Sequence, residues 1–183
     1  SLEIDPRERI VTIEDSAELK FQSHPNVVSL EARDASIEGT GAVTIRDLVK
    51  NALRMRPDRI VVGECRGAEA IDMLQAMNTG HDGAGGTIHA SAASTVPARL
   101  AALGALAGLN ARALALQAVG ALDAVIHLER DADGRRVAEI AVLDSAGDGQ
   151  LVALTALDFR LGIAEPGPGW DKLQARLTAR ATA

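Results

Sequence analysis

The residues of this chain able to do chemistry gather in four short stretches. Glu64 follows the apolar run Ile60-Val61-Val62 and Gly63, with Arg66 two residues further on. Glu14 and Asp15 end a second β-branched run that begins at Arg9. His81 and His89 flank Gly83-Ala-Gly-Gly86, and Arg54, Arg56 and Arg59 lead into the run that ends at Glu64. A glutamate delivered at the end of a buried strand, with an arginine beside it, suits the activation of water or the handling of phosphate charge. The plain alternatives are a carboxylate that caps a strand end or pairs with Arg66, and acids at Glu14 and Asp15 that are simply solvated. His81, Asp82, His89 and Cys65 together invite a metal, but their spacing fits neither H-E-x-x-H nor a C-x-x-C framework. The arginines either solvate a helix end and pair with acids such as Asp58, or use their forked donors on phosphate. The glycine run is no phosphate cradle, because no lysine follows it and no helix opens there.

The elements that must hold these groups alternate between two periodicities. The short β-branched run Ile60–Val62 reads as a strand buried on both faces of a parallel sheet, and Arg9–Asp15 reads as a strand ending in two acids. Such sheets present ligand-binding groups at the carboxyl ends of their strands. Val27–Glu31 reads as a further strand. Thr44-Ile-Arg-Asp47 has the spacing of a capping box and opens a helix, with Ile45, Leu48, Val49, Ala52 and Leu53 on one face until Pro57 stops it. A helix carrying Ile71, Leu74 and Met77 follows, with Gly80 suited to close it. Thr87–His89 reads as a short strand, Ser94 and Asn110 as caps of two further helices, and Val125–Glu129 as another strand. Arg136–Leu143 and Gln150–Leu157 read as a late antiparallel pair across the turn Ser145–Gly149. Beyond Glu165-Pro-Gly-Pro-Gly169, the stretch 170–183 reads as a polar helix or a frayed tail. The expected class is α/β, with domain boundaries at 1–160 and a polar tail at 161–183.

Composition narrows the function classes. With 183 residues and 47% hydrophobic content the chain can bury a sizeable core. Phe21, Phe159 and Trp170 are its only aromatic residues, so a base-stacking nucleic-acid platform is not expected. A formal charge of −6 argues against coating nucleic acid or anionic lipid. The single Cys65 excludes an intrachain disulfide. No apolar run nears the ~20 residues of a bilayer span, and no signal peptide is evident, so a cytoplasmic protein lacking its natural amino terminus is expected.

Four blocks, in order, resemble the carboxy-terminal ATPase domain of the type II/IV secretion ATPase superfamily, and most closely the CpaF-like ATPases of tight-adherence (Flp) pilus assembly. Thr12-Ile-Glu-Asp-Ser-Ala-Glu-Leu19 resembles the acidic Asp box. Thr44–Arg59 resembles the helix leading into the Walker B strand, and Ile60–Gly67 resembles Walker B. Asn78–Gly83 through Thr87-Ile-His-Ala90 resembles the His box. The likeness implies a RecA-like P-loop NTPase sandwich with a small antiparallel extension, binding ATP and Mg2+. It implies that Glu64 polarises the attacking water and holds magnesium through its hydration shell, with Glu14 and Asp15 orienting water and metal. His89 and His81 belong to the element that senses the γ-phosphate, Arg66 pairs with the acidic strand ends, and Arg54 and Arg56 reach a neighbouring subunit's nucleotide. It further implies a homo-oligomer of six subunits meeting the pilus inner-membrane platform proteins at the cytoplasmic face, with no nucleic acid partner and no insertion into the membrane.

The departure from the family pattern is large. No G-x-x-x-x-G-K-[ST] motif is present, and the only lysines, Lys20, Lys50 and Lys172, do not follow glycine. That loop normally cradles the phosphates. In the sheet the resemblance implies, its strand lies between the His-box strand and Val125–Glu129, so its absence is expected to leave an incomplete sheet. The rival readings are an inert fragment acting as a binding or oligomerisation module, and a competence or conjugation motor of the same superfamily.

Overall fold

A computed structural model describes residues 4–19, 21, 23–35, 41–81 and 83–181. Contacts divide the chain into two compact units, Ser1–Ile88 and His89–Ala183.

The first unit is built on a parallel sheet. Strands β1 (Ile10–Glu14), β2 (Val27–Glu31), β3 (Arg59–Val62) and β4 (Gly85–Gly86) lie in the order β2-β1-β3-β4. Ile10 pairs with Val27 on one side and Arg59 on the other, and Val61 pairs with Gly85. Every residue of β1 is buried, as its β-branched sequence demands of a central parallel strand. Helices α1 (Ile45–Ala52) and α2 (Glu69–Met77) lie in the β2–β3 and β3–β4 crossovers of this parallel sheet. The capping box that opens α1 forms: the Asp47 amide donates to Thr44 Oγ1 at 3.2 Å and the Thr44 amide to Asp47 Oδ2 at 3.1 Å. A 3-10 turn, Leu53–Met55, carries α1 to Arg56 and the buried Pro57. Gly80 ends the following helical stretch at φ 100°, a left-handed conformation that costs glycine nothing. Ile10, Val11, Ile13, Val49, Ile60 and Val62 form the core, each at most 1% exposed.

The strand expected at Thr87–His89 lies instead at β4, Gly85–Gly86. The reason is close approach: a Cβ on Gly86 would stand 3.2 Å from the Val62 carbonyl oxygen and 3.3 Å from Cys65 Sγ. Glycine is the residue that lets this edge come against β3. The ladder continues irregularly, the Thr87 amide donating to Val62 O at 3.3 Å and the Cys65 amide to Thr87 O at 2.8 Å.

The second unit pairs helices α3 (Val96–Leu106) and α4 (Ala111–Ala121) with an antiparallel sheet, β5 (Val125–Asp131), β6 (Gly134–Ser145), β7 (Leu151–Asp158) and β8 (Glu165–Pro166), and closes with α5 (Trp170–Ala181). Asn110 caps α4 as expected, accepting the Ala113 amide at 2.9 Å. Ser94 does not open α3; it sits inside a 3-10 turn, Ala93–Thr95, that precedes the helix. The late pair is β6–β7, but Val125–Glu129 is corrected: it is no member of the parallel sheet. It is the antiparallel partner of β6, Val125 facing Ala141 and Asp131 facing Gly134. Asp131 Oδ1 accepts the amides of Asp133 and Gly134 at 3.0 and 3.1 Å, and Gly134 takes φ 131°. Asp133-Gly134 is a hairpin signal that the strand–helix alternation had masked. β4 and β5 belong to separate sheets. The segment after 169 is helix, held by Leu173 (4% exposed) against Val142 and Ala156. From it Arg176 donates to the carbonyls of Leu122 at 2.8 Å, Asp123 at 3.0 Å and Leu143 at 2.9 Å, satisfying the carboxyl end of α4.

Candidate functional site

The parallel register of β1 and β3 delivers two carboxylates to one edge. Ile13 pairs with Val62, so Glu14 and Gly63 follow side by side, and the Gly63 amide donates to Ile13 O at 2.8 Å. A Cβ on Gly63 would come within 2.9 Å of Glu14 Cγ. Glu14 is 6% exposed. Its Oε1 accepts the amides of Glu18 at 3.1 Å and Leu19 at 3.0 Å, so the carboxylate holds the turn after β1.

Glu64 follows Gly63 out of the sheet, its side chain 19% exposed and ion-paired to Arg66 Nη2. The other arm of Arg66 lies 3.8 Å from Asp15 Oδ2. One guanidinium thus bridges the ends of both strands, and Glu64, with a lesser contribution from Asp15, holds it firmly in the charged form. Three carboxylates, Glu14, Asp15 and Glu64, against the one Arg66 guanidinium leave this edge a formal −2, ready for a cation or a polarised water. The loop behind it is fixed. Thr87 Oγ1 donates to Gly63 O, and Cys65 is buried with Sγ 3.7 Å from Met73 Sδ. Burial first, then the nearby Glu69 and Glu64 charges, push the Cys65 thiol up to about 12. Buried Glu69, at the start of α2, turns back so that its Oε1 accepts the amides of Arg66 and Gly67, both at 2.6 Å. Sequence reading missed Glu69. The signal available was its three-residue offset from Arg66, the reach of the second arm of a capping box.

Other expected site residues are distributed differently. His81 turns to the backbone, its amide and Nδ1 both 3.3 Å from the Ala76 carbonyl. His89 is exposed and opens the second unit, and Asp82 falls outside the described residues. Arg54 and Arg56 are exposed at the opposite, amino end of β3, about 13 Å of strand from Glu64. Arg56 takes φ 53°, a left-handed conformation at the end of the 3-10 turn. Asp58 is fastened there too, accepting the Arg9 amide at 2.6 Å, while Arg59 forks onto Glu8. The four arginines therefore form no single cluster.

Among the described residues no group of three or more His, Cys, Asp or Glu side chains could hold a metal ion. The oxygens of Glu64 and Asp15 are hard donors on a partly open edge, which fits Mg2+ held through its own water shell rather than in a protein cage. No single helix among the described residues is long and apolar enough to cross a membrane.

A family model described as "Type II/IV secretion system protein" matches residues 2–148. A putative conjugal transfer protein of Mycobacterium tuberculosis is 51% identical over 178 residues, covering 96% of this chain and 50% of its own length. The conjugal transfer protein TrbB of Rhizobium radiobacter is 39% identical over 136 residues, covering 74% of this chain and 39% of its own. Among solved structures, the VirB11 ATPase of the Brucella suis type IV secretion system, in complex with sulphate, superposes with a TM-score of 0.65 at 30% identity over 75% of this chain and 40% of that one. This chain spans about half the length of the first curated relatives it matches, or less.

Proposed function

Because the chain belongs to the type II/IV secretion system protein family, we propose that it is the catalytic-edge portion of an ATPase that, in the complete protein, couples ATP hydrolysis to transport through a secretion system. The observation that carries this reading is the single Arg66 shared between Glu64 and Asp15 at the carboxyl edge of the parallel sheet. Phosphoryl transfer asks a protein mainly for positioning and charge neutralisation, and an aimed carboxylate beside a bridging cation meets that demand.

In this reading Glu64 accepts the hydrogen bond of the attacking water and draws its proton density. Asp15 and Glu64 would hold the hydrated Mg2+, which when bound neutralises developing phosphate charge. Glu14 acts through the turn after β1, holding the Glu18 and Leu19 amides so that Asp15 stays at the edge. Arg66 keeps the acids from repelling one another before nucleotide arrives. His89 responds to the γ-phosphate, and His81 supports the loop through Ala76. Arg54 and Arg56, at the far end of the strands, serve a neighbouring subunit's nucleotide in a ring of six.

The transported substrate is pilin, extruded through platform proteins of the inner membrane, with the motor at its cytoplasmic face. A conjugation motor is the second reading, favoured by relatives named for conjugal transfer at 51% and 39% identity. Replacing Glu64 by glutamine in the complete protein is expected to abolish hydrolysis while nucleotide still binds. Turnover retained above about a tenth of the parent rate would remove Glu64 from the chemistry.

A further inference from the structure

Glu69 stands outside every motif that pointed to the site, yet it is among the few buried charged side chains of the described residues, at 8% exposed. It lies on the first turn of α2 and faces backward. Its Oε1 accepts two successive amides, Arg66 and Gly67, at 2.6 Å each. These amides flank the residue that pairs with Glu64. The space is shaped for this contact: a Cβ on Gly67 would lie 2.9 Å from Glu69 Oε2. Four residues on, Met73 packs its sulfur against Cys65, so α2 grips the loop at two points.

Resting on the proposed hydrolysis, we infer that Glu69 is a positioning residue for Glu64: its doubly bonded carboxylate sets the path of residues 64–67 and so aims the Glu64 side chain. Two short bonds to consecutive amides fix the two peptide planes on either side of Arg66, and with them the direction from which Arg66 approaches Glu64. Without them the loop between β3 and α2 keeps the Cys65–Thr87 ladder bond but loses the restraint on its second half. A displacement near 1 Å at a catalytic group can cost about a hundredfold in rate. Nucleotide affinity, dominated by phosphate contacts elsewhere, is left alone.

The test uses the complete protein and steady-state ATP hydrolysis with three variants. Glu69→Gln keeps an oxygen at the same reach and is expected to hold kcat within about threefold of the parent. Glu69→Asp keeps the charge but withdraws the carboxylate by one methylene; its kcat is expected to fall about 10- to 100-fold with KM for ATP within about twofold. Glu69→Ala is expected to match Glu69→Asp. If Glu69→Ala does not fold, the glutamine–aspartate order decides alone. Charge rather than hydrogen bonding would reverse that order and overturn the inference, as would unchanged kcat in Glu69→Asp or a fall shared equally by KM. A parent protein that hydrolyses no ATP, or a Glu64→Gln variant as fast as the parent, instead refutes the proposed function on which the inference rests.

Discussion

The contact between Gly63 and Glu14 makes a quantitative prediction. The backbone of Gly63 is not in the left-handed region, so alanine there suffers no conformational strain and any cost comes from contact. A Cβ at this position would stand 2.9 Å from Glu14 Cγ, 3.4 Å from Oε1 and 3.6 Å from Cβ. The nearest atom is close to the backbone of a buried side chain, which cannot swing aside without releasing the Glu18 and Leu19 amides at 3.1 and 3.0 Å. Overpacking costs about 1–3 kcal/mol and loss of a hydrogen bond to a charged acceptor about 1.5–3 kcal/mol, so Gly63→Ala should destabilise by roughly 2.5–6 kcal/mol. In a Glu14→Ala background the obstructing atoms are gone, and the same substitution should cost under about 1 kcal/mol. Urea titrations of the four members of this cycle measure the difference, with the slope on urea unchanged. If the two costs agree within about 0.5 kcal/mol, Gly63 and Glu14 are not coupled and the geometry assigned to this edge is wrong.

Thr44→Ala should remove the Oγ1 that accepts the Asp47 amide, leaving the backbone arm to the Asp47 carboxylate, and cost about 1 kcal/mol by urea titration, whereas Thr44→Ser should be nearly neutral. Cys65, its thiol pushed up to about 12, should react with iodoacetamide at pH 8 at least about a hundredfold more slowly in the folded chain than in urea. Asp144 is held below the usual carboxylate range first by its hydrogen bond from Lys172. The folded state therefore binds fewer protons than the unfolded one, and this stabilisation is present above about pH 4 and lost as pH falls through the folded value. Lys172→Met should lower the stability measured by urea titration at pH 7, by less than about 1 kcal/mol for so exposed a pair, and the difference should shrink as pH falls through the folded value.

What could be read without coordinates was local or motif-borne. Thr44-x-x-Asp47 forms its capping box and Asn110 caps its helix, because each of these signals acts within four residues of chain. The run read as Arg9–Asp15 forms the fully buried β1 at Ile10–Glu14, and Ile60–Val62 is a strand with Ile60 and Val62 buried but Val61 only partly so. The superfamily was legible because four motifs stand in order. Tertiary structure decided the rest. It set Glu14 to hold a turn while Asp15, one residue on, meets Arg66, because Glu14 is the last, buried residue of β1 and Asp15 lies in the exposed bend after it. It moved Val125–Glu129 out of the parallel sheet, where a two-residue turn outweighed the alternation of elements. It put Arg54 and Arg56 at the end of β3 away from Glu64, which only strand direction determines. And it brought Glu69 back onto the loop it follows, where burial turns a surface-type residue into a restraint. Periodicity and caps are written along the chain, whereas the face, edge and partner of a charged side chain depend on which distant segments pack against it.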